Sequence, residues 1–157
     1  MFRYRQTNKN FRGFLMLQGQ IEEGFNVFPQ LTHGIVADLA KAGFKTIINN
    51  RPDGERGNYP SSVDMEALAK QHGMQYFFIP VNTMALSMDT VQAFAEALKN
   101  AEGPIAAYCA SGYRSALMWA FANAGRLSAD EIISACAAQG HNFSQMRPML
   151  SQMAAAA

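Results

Sequence analysis

The sequence is poor in cysteine, and this excludes one whole class of scaffold. Only two cysteines, Cys109 and Cys136, occur in its 157 residues. A secreted domain built on disulfides carries many more for its size. The simplest prediction is a chain with free thiols in a reducing compartment, which points to the cytoplasm.

Long apolar runs and an excess of charge of one sign are also missing. No window approaches the roughly 18 apolar residues that a spanning helix requires. The basic segment 1–6 is not followed by the apolar run of a signal peptide. With 13 basic and 12 acidic side chains the net charge is +1. Since no basic cluster is present either, neither a membrane nor a nucleic acid is expected as a partner.

Histidines are few as well. The three in the chain, His33, His72 and His141, stand far apart and lack metal-ligand spacing. The sequence therefore predicts no metal and no organic cofactor. It carries no pattern that specifies an oligomeric state.

What the sequence does contain is an alternation of strand-like and helix-like segments. Strands are predicted over residues 25–28, 44–49, 75–79 and 105–108, and helices over 32–42, 62–72, 89–100, 114–124, 128–139 and 143–153. This alternation predicts one three-layer α/β domain over residues 1–157 with a mostly parallel central sheet. The wholly apolar strand 105–108 is typical of a sheet that is covered on both faces.

Three details of this prediction concern the ends of the chain and its side chains. Residues 14–17 are apolar and form either a strand or a cover for the core. Residues 154–157 are expected to be frayed. The ten methionines are scattered and are predicted to fill the core.

One segment combines a nucleophile with an anion-binding turn. It follows the buried strand 105–108 and reads Cys109-Ala110-Ser111-Gly112-Tyr113-Arg114-Ser115. Ligands of open α/β sheets lie beyond the carboxyl ends of the strands. Backbone N–H groups of Ala110, Ser111, Gly112 and Tyr113 can converge there, and the dipole of the following helix favours an anion.

The side chains of this loop fit the same chemistry. Arg114 provides a planar fork for two oxygens of a tetrahedral anion. The positive field favours the thiolate form of Cys109. The alternative is a buried structural cysteine before an ordinary turn, although Arg114 has no role in a core. Cys136 lies in the middle of a predicted helix among apolar residues and is expected to be a core thiol.

The loop resembles the signature of the cysteine phosphatases, which read His-Cys, five residues, Arg, and then Ser or Thr. Segments 29–32 and 42–53 are similar to those of a bacterial phosphatase-like domain that occurs alone or fused to β-lactamase-fold hydrolases. That domain is a relative of the dual-specificity protein phosphatases. The resemblance is strongest over residues 25–150, and Asn50-Arg51-Pro52-Asp53 is its better marker. It implies a cysteine-phosphatase-like fold and a catalytic Cys109.

The sequence departs from this family pattern at three places. Four residues separate Cys109 from Arg114, one fewer than in typical cysteine phosphatases and equal to the loop length of rhodanese sulfurtransferases. Tyr108 stands where many phosphatases have His. Asn82 and Thr83 stand where a dual-specificity phosphatase carries its general-acid Asp. Against a rhodanese, Arg51 is not followed by the Gly-His-Ile segment of that family.

Further residues have two possible roles each. Arg51 either faces the same crevice as Cys109 or pairs with Asp53 or Glu55 to stiffen its loop. For Ser115, the resemblance implies a hydrogen bond to the Cys109 sulfur or help in hydrolysis rather than simple packing. Asp89, near a predicted helix start, either stabilises the first turn or serves as an alternative general acid.

The predicted function is that of a phosphatase, a hydrolase that cleaves phosphate monoesters through a cysteinyl-phosphate on Cys109, with a phosphorylated protein or small molecule as substrate. One alternative is a rhodanese-like sulfurtransferase that carries a persulfide on Cys109. Another is a catalytically silent anion-binding module, which the missing acid near Thr83 keeps open.

Overall fold

A five-stranded sheet with the strand order β1-β2-β5-β3-β4 forms the centre of the molecule. The structure is a computed structural model that describes residues 8–157, with side chains from residue 13 onward. The strands are β1 (Gln20–Glu22), β2 (Phe25–Phe28), β3 (Thr46–Asn49), β4 (Gln75–Phe78) and β5 (Ile105–Tyr108). Strands β2, β5, β3 and β4 are parallel, and only β1 at the edge is antiparallel to its neighbour.

Within residues 8–157, seven helices cover the two faces of this sheet. They are α1 (Asn8–Leu17), α2 (His33–Ala42), α3 (Ser62–Gln71), α4 (Met88–Asn100), α5 (Tyr113–Ala122), α6 (Ala129–Ala137) and α7 (Arg147–Ala156). One buried cluster joins α1, α2 and α3 to the sheet, and a second joins α4, α5, α6 and α7 to the opposite face. The predicted three-layer α/β architecture is therefore confirmed.

Local sequence signals account for most helix ends. Side-chain oxygens of Thr32, Ser61, Ser87 and Ser128 accept hydrogen bonds from the first turns of α2, α3, α4 and α6. Ser128 forms a capping box with Glu131. Because each cap satisfies backbone donors that the helix itself leaves free, these boundaries were predictable to within a residue or two.

The structure corrects the prediction at both ends of the chain. Residues 14–17 belong to α1, whose Leu15 is buried, so this segment is a helical cover and not a strand. The edge strand β1 was not predicted. The prediction of a frayed segment 154–157 was wrong, because α7 continues to Ala156 and its end packs against Gly125. Ser144–Met146 form a short 3-10 helix where α7 was predicted to begin.

Along the described part of the chain, none of the helices is both long enough and apolar enough to span a membrane.

Candidate active site

Parallel strands bring distant loops to one edge of the sheet. Strands β5 and β3 are neighbours, with Tyr108 opposite Asn49 in the register. The loop that begins at Cys109 and the loop that begins at Asn50 therefore leave the same edge side by side. This is the edge at which ligands of parallel sheets bind.

The Cys109 sulfur is held inside a tight turn at the start of α5. The N–H of Gly112 donates to Sγ of Cys109 at 3.1 Å, and Cys109 is fully buried. Gly112 has φ +93°, and a Cβ at this position would lie 3.0 Å from Cγ1 of Val27. Only glycine meets both demands without strain. The N-terminus of α5 begins at this turn, and the dipole of a helix N-terminus favours a bound anion.

One edge of the Arg114 guanidinium group forms hydrogen bonds with other residues of the protein. Its Nη1 and Nη2 donate to the two carboxylate oxygens of Glu55 at 2.7 and 2.9 Å. Nη1 also donates to the carbonyl oxygen of Val81 at 3.1 Å. A guanidinium has five N–H donors in a fixed plane. The Nε–H and one Nη2–H lie along a second edge that Glu55 does not occupy. This edge can clamp two oxygens of an anion.

Glu55 connects Arg114 to Arg51. The Nε of Arg51 donates to Glu55 at 3.1 Å, and its other nitrogens donate to Gln30 at 3.0 Å and to the Arg56 carbonyl at 2.8 Å. The guanidinium carbon of Arg51 lies 3.5 Å from the centre of the Tyr59 ring. Arg51 thus adopts the loop-stiffening arrangement, and it reaches the crevice of Cys109 through Glu55.

The charges at this edge do not cancel. The hydrogen bond from Arg114 is the main reason that the pKa of Glu55 lies below its ordinary value, and Arg51 adds to the effect. The same contact raises the pKa of Arg114, with a smaller contribution from the nearby Cys109. Two guanidinium groups and one carboxylate leave one net positive charge beside Cys109. An anion is therefore the ligand that this site favours.

Asn50 is a residue of the site to which the sequence analysis assigned no role. The hydroxyl of Ser115 donates to Oδ1 of Asn50 at 2.8 Å, and Asn50 Nδ2 donates to the carbonyl of Ile79 at 2.9 Å. These bonds tie the first turn of α5 to the ends of β3 and β4. The single hydroxyl hydrogen of Ser115 is directed to Asn50 here, and not to the Cys109 sulfur as the resemblance implied.

The segment after β4 carries no carboxyl group at the position where a general acid would stand. The side chain of Asn82 accepts from the N–H of Met84 at 3.0 Å, and Thr83 begins a 3-10 helix, Thr83–Ala85. Asp89 lies in the first turn of α4, exposed, and forms no hydrogen bond or ion pair with the described residues. Glu55 is held as a carboxylate by two arginines. It is therefore a poor proton donor.

Tyr108 lies outside the loop although it precedes Cys109. Its side chain packs in the cluster beneath α1, α2 and α3, on the opposite face of the sheet from α5. It is 1% exposed, its hydroxyl has no hydrogen-bond partner among the described residues, and burial raises its pKa. The residue that replaces the usual His therefore makes no side-chain contribution to the sulfur.

His141 was not predicted as a neighbour of the loop. Its ring lies 6.4 Å from that of Tyr113 and stacks on Phe143 at 6.2 Å. A Cβ on Gly112 would be 3.6 Å from its Nε2. Burial lowers the pKa of His141, which favours the neutral ring. Across residues 13–157, no group of three or more His, Cys, Asp and Glu side chains is arranged to hold a metal ion.

The prediction that the methionines fill the core was wrong for several of them. Met84, Met88 and Met149 are 93%, 64% and 49% exposed. An open apolar groove of about 400 Å³ begins at Tyr113 of the loop, and its walls are Thr83, Leu86, Ser87, Met88, Val91, Tyr113, Leu117, Phe121, Met146, Met149 and Met153. The term apolar groove is used below for these residues.

The fold and the site together define a class of protein. A parallel sheet whose central strand ends in a cysteine loop, with an arginine at the start of the next helix, is the architecture of the cysteine-phosphatase fold. The chain belongs to the family described as "Beta-lactamase hydrolase-like protein, phosphatase-like domain", whose profile matches residues 19–126. It is thus a phosphatase-like domain.

The chain is similar to several known proteins. A Beta-lactamase hydrolase-like protein of Xylella fastidiosa is 32% identical over 119 residues, which are 74% of this chain and 28% of that protein. The chain therefore matches little more than a quarter of this relative's length. A candidate phosphatase of Neisseria meningitidis has 33% identity and a TM-score of 0.75, covering 85% of this chain and 96% of the other. PTPMT1, solved in complex with PI(5)P, shares the fold at 18% identity, with a TM-score of 0.67 and coverage of 87% and 94%.

Proposed function

We propose that the domain, acting as a single unit in a reducing, cytoplasmic compartment, is a cysteine-dependent phosphatase for phosphate monoesters. The observation that carries this proposal is the convergence at Cys109. The Gly112 N–H contacts the sulfur, α5 begins beside it, and Glu55 takes only one edge of the Arg114 guanidinium. The family match and the solved likenesses support a phosphate-bearing substrate. The ligand of PTPMT1, PI(5)P, is of this class.

The reaction has two steps. The Cys109 thiolate attacks phosphorus, the bond to the leaving-group oxygen breaks, and a cysteinyl-phosphate forms. N–H groups of the loop and the Nε edge of Arg114 stabilise the equatorial oxygens of the transition state. Water then attacks phosphorus, loses a proton, and releases inorganic phosphate and the thiolate.

The supporting residues act through Arg114 and the loop. Glu55 fixes the guanidinium plane along the edge next to the one assigned to the anion, and Arg51 fixes Glu55. Ser115 and Asn50 hold the first turn of α5 against the sheet. Since misplacement of a reacting group by about 1 Å can cost about a hundredfold in rate, such positioning has a direct catalytic value.

A second candidate function is sulfur transfer, and two observations favour it. The loop between Cys109 and Arg114 has the four-residue length of the rhodaneses. In addition, no carboxyl group among the described residues stands ready to protonate an alkoxide. Thiosulfate needs no such acid, because the Cys109 thiolate would take its outer sulfur and release sulfite. Cyanide would then take the sulfur as thiocyanate and restore the thiolate.

One experiment separates these functions. The same preparation is assayed with p-nitrophenyl phosphate and with thiosulfate plus cyanide, using Cys109→Ser and, as a matched control at the other thiol, Cys136→Ser. We expect phosphate release that Cys109→Ser abolishes and Cys136→Ser retains. Thiocyanate formation without phosphate release would establish sulfur transfer. If neither product forms although phosphate protects Cys109 from alkylation, the domain is a silent anion-binding module.

A further inference from the structure

The apolar groove starts at the anion-binding loop and runs away from it along α5. Tyr113, Leu117 and Phe121 form one wall. These residues are four positions apart, so they lie on one face of the helix. With a rise of about 1.5 Å per residue, this wall is about 12 Å long. Its near end is Tyr113, which lies between Gly112 and Arg114 in the loop itself.

Two other helices supply the remaining walls. Met88 and Val91 come from the start of α4, and Leu86 from the segment before it. Met146, Met149 and Met153 come from α7 and its approach, at a spacing that again selects one helix face. Flexible thioether side chains adapt well to irregular apolar ligands. Three elements that are distant in the sequence therefore build one methionine-rich channel.

The residues that line the apolar groove indicate which ligands it can bind. All eleven lining residues are uncharged, and the polar ones are Thr83, Ser87 and Tyr113. A peptide or a sugar in the groove would lose hydrogen bonds to water without finding enough partners, and each unpaired polar group costs free energy. An aliphatic chain has no such groups. When the apolar surface of such a chain is buried here, it leaves water, and this contributes favourably to the free energy of binding.

The position of the groove tells which part of a substrate reaches it. Arg114 donates to the carbonyl of Val81, two residues before Thr83, which lines the groove. The near end of the groove is thus formed on both sides by segments that also hold Arg114. An ester substituent that leaves the bound phosphate on the side of Tyr113 and Thr83 would enter this end.

We propose that the apolar groove binds an aliphatic tail carried by the leaving group of the substrate, so that the substrate is a phosphate monoester with an apolar tail. This inference rests on the proposed function, because it needs the phosphate to be bound at Cys109 and Arg114. Beyond the groove lies a second hollow that shares Phe121, Met149 and Met153 with it and is also bordered by Glu96 and Lys99. We expect the gain from a longer tail to be largest over the roughly 12 Å of the α5 wall, which carries no charged residue.

The test measures binding by calorimetry, with inorganic phosphate and with butyl, hexyl, octyl and dodecyl phosphate below their micelle concentrations. Cys109→Ser protein is used so that no ligand is turned over. We expect the affinity to rise about two- to fourfold with each methylene up to about octyl, and then to level off.

Met149→Glu should remove most of this rise, because a carboxylate then lines the groove. Met84→Glu is the matched control: Met84 is exposed on the adjacent segment but does not line the groove, so the rise should remain. Thermal unfolding checks that both variants fold. If Met149→Glu does not fold, Met149→Ala, which should reduce the rise, takes its place.

The other outcomes are distinguishable. Equal affinity for phosphate and for all chain lengths would overturn the inference and leave the proposed phosphatase intact. A change of oligomeric state in Met149→Glu without any dependence on chain length would assign the groove to a contact between copies and overturn it too. If neither inorganic phosphate nor any alkyl phosphate binds, the proposed function fails together with the inference.

Discussion

Glu55 accepts hydrogen bonds from two arginines and shapes the site without touching the sulfur. It lies 59 positions before Arg114 in the sequence, yet it takes both end nitrogens of that guanidinium group. The pairing leaves the Nε edge of Arg114 directed to the anion. Glu55 is thus a positioning residue, and its replacement should lower both activity and stability.

We predict that Glu55→Gln lowers kcat/KM for an aryl phosphate by about ten- to a hundredfold, because the guanidinium plane is no longer fixed from two sides. It should also lower stability at neutral pH. The pKa of Glu55 is lowered in the folded protein, so its carboxylate stabilises the fold above the ordinary value of 4.5, and this contribution is lost as the pH falls through the lower folded value.

Urea unfolding at pH 7 and at about pH 4 checks this sign. The difference in unfolding free energy between the original protein and Glu55→Gln should be larger at pH 7. Glu96→Gln is the matched control, because Glu96 forms only a surface ion pair with Lys99. It should change stability by less than about 0.5 kcal/mol. A difference for Glu55→Gln that grows toward acid pH would contradict the assignment.

The two thiols should react very differently. Burial raises the pKa of Cys136 to about 12, so it carries almost no thiolate at neutral pH. Cys109 has an N–H donor at its sulfur and the α5 N-terminus beside it. We predict that one thiol, Cys109, is alkylated in the native protein near pH 6, and faster by anionic iodoacetate than by neutral iodoacetamide.

Phosphate, sulfate or vanadate should protect Cys109 in this experiment, and Arg114→Lys should weaken the protection because an ammonium cannot form the planar two-point contact. Peptide mapping by mass spectrometry identifies the labelled thiol. Equal labelling of Cys109 and Cys136, or the same rate with and without anions, would refute the anion-binding loop.

At the scale of single elements, the loop depends on one backbone conformation. Gly112 is left-handed and lies against Val27, so a side chain there meets both strain and a close contact at 3.0 Å. The helix that follows begins at Tyr113, and its free N–H groups point at the anion only while this turn is kept.

We predict that Gly112→Ala destabilises the protein by about 1–3 kcal/mol and removes anion protection of Cys109. Gly140→Ala is the matched control. Gly140 is also left-handed, at φ +85°, but a Cβ there meets nothing within 4 Å. It should cost stability of about 1–2 kcal/mol and leave anion protection unchanged. Loss of protection in both variants would mean that the effect is general and not a property of the loop.

At the scale of the whole molecule, the site lacks one part of the usual acid–base chemistry. The elements that meet at the sheet edge bring a nucleophile, N–H groups and Arg114 together. The segment after β4 brings Asn82 and Thr83 and no acid. A positioned acid supplies about 10²–10⁴-fold in rate, and its loss is felt most with poor leaving groups.

We therefore predict a steep dependence of kcat/KM on the leaving-group pKa in a series of substituted phenyl phosphates. Asp89 remains the alternative acid. If it donates the proton, Asp89→Asn should slow poor leaving groups far more than good ones and steepen the plot. A uniform, small change would show that Asp89 only stabilises the first turn of α4. If kcat/KM of the original protein does not depend on the leaving-group pKa, a residue other than Asp89 acts as the general acid.

The sequence by itself determined the features that are local. The helix caps at Ser87 and Ser128 and the loop with Cys109, Gly112 and Arg114 follow from a few adjacent residues whose backbone groups must be satisfied nearby. The family resemblance drew attention to the Asn50-Arg51 segment as well. In these cases the partners of each hydrogen bond lie within one turn or one motif.

Only the tertiary structure decided the features that join distant segments. Glu55 and Arg114, Asn50 and Ser115, and the three walls of the apolar groove meet because the strand order places β5 between β2 and β3 and packs α4 and α7 beside α5. A methionine has the same local pattern in a core as on the wall of a groove. Which of the two it becomes depends on what packs against it, and that is fixed by the fold and not by the neighbouring residues.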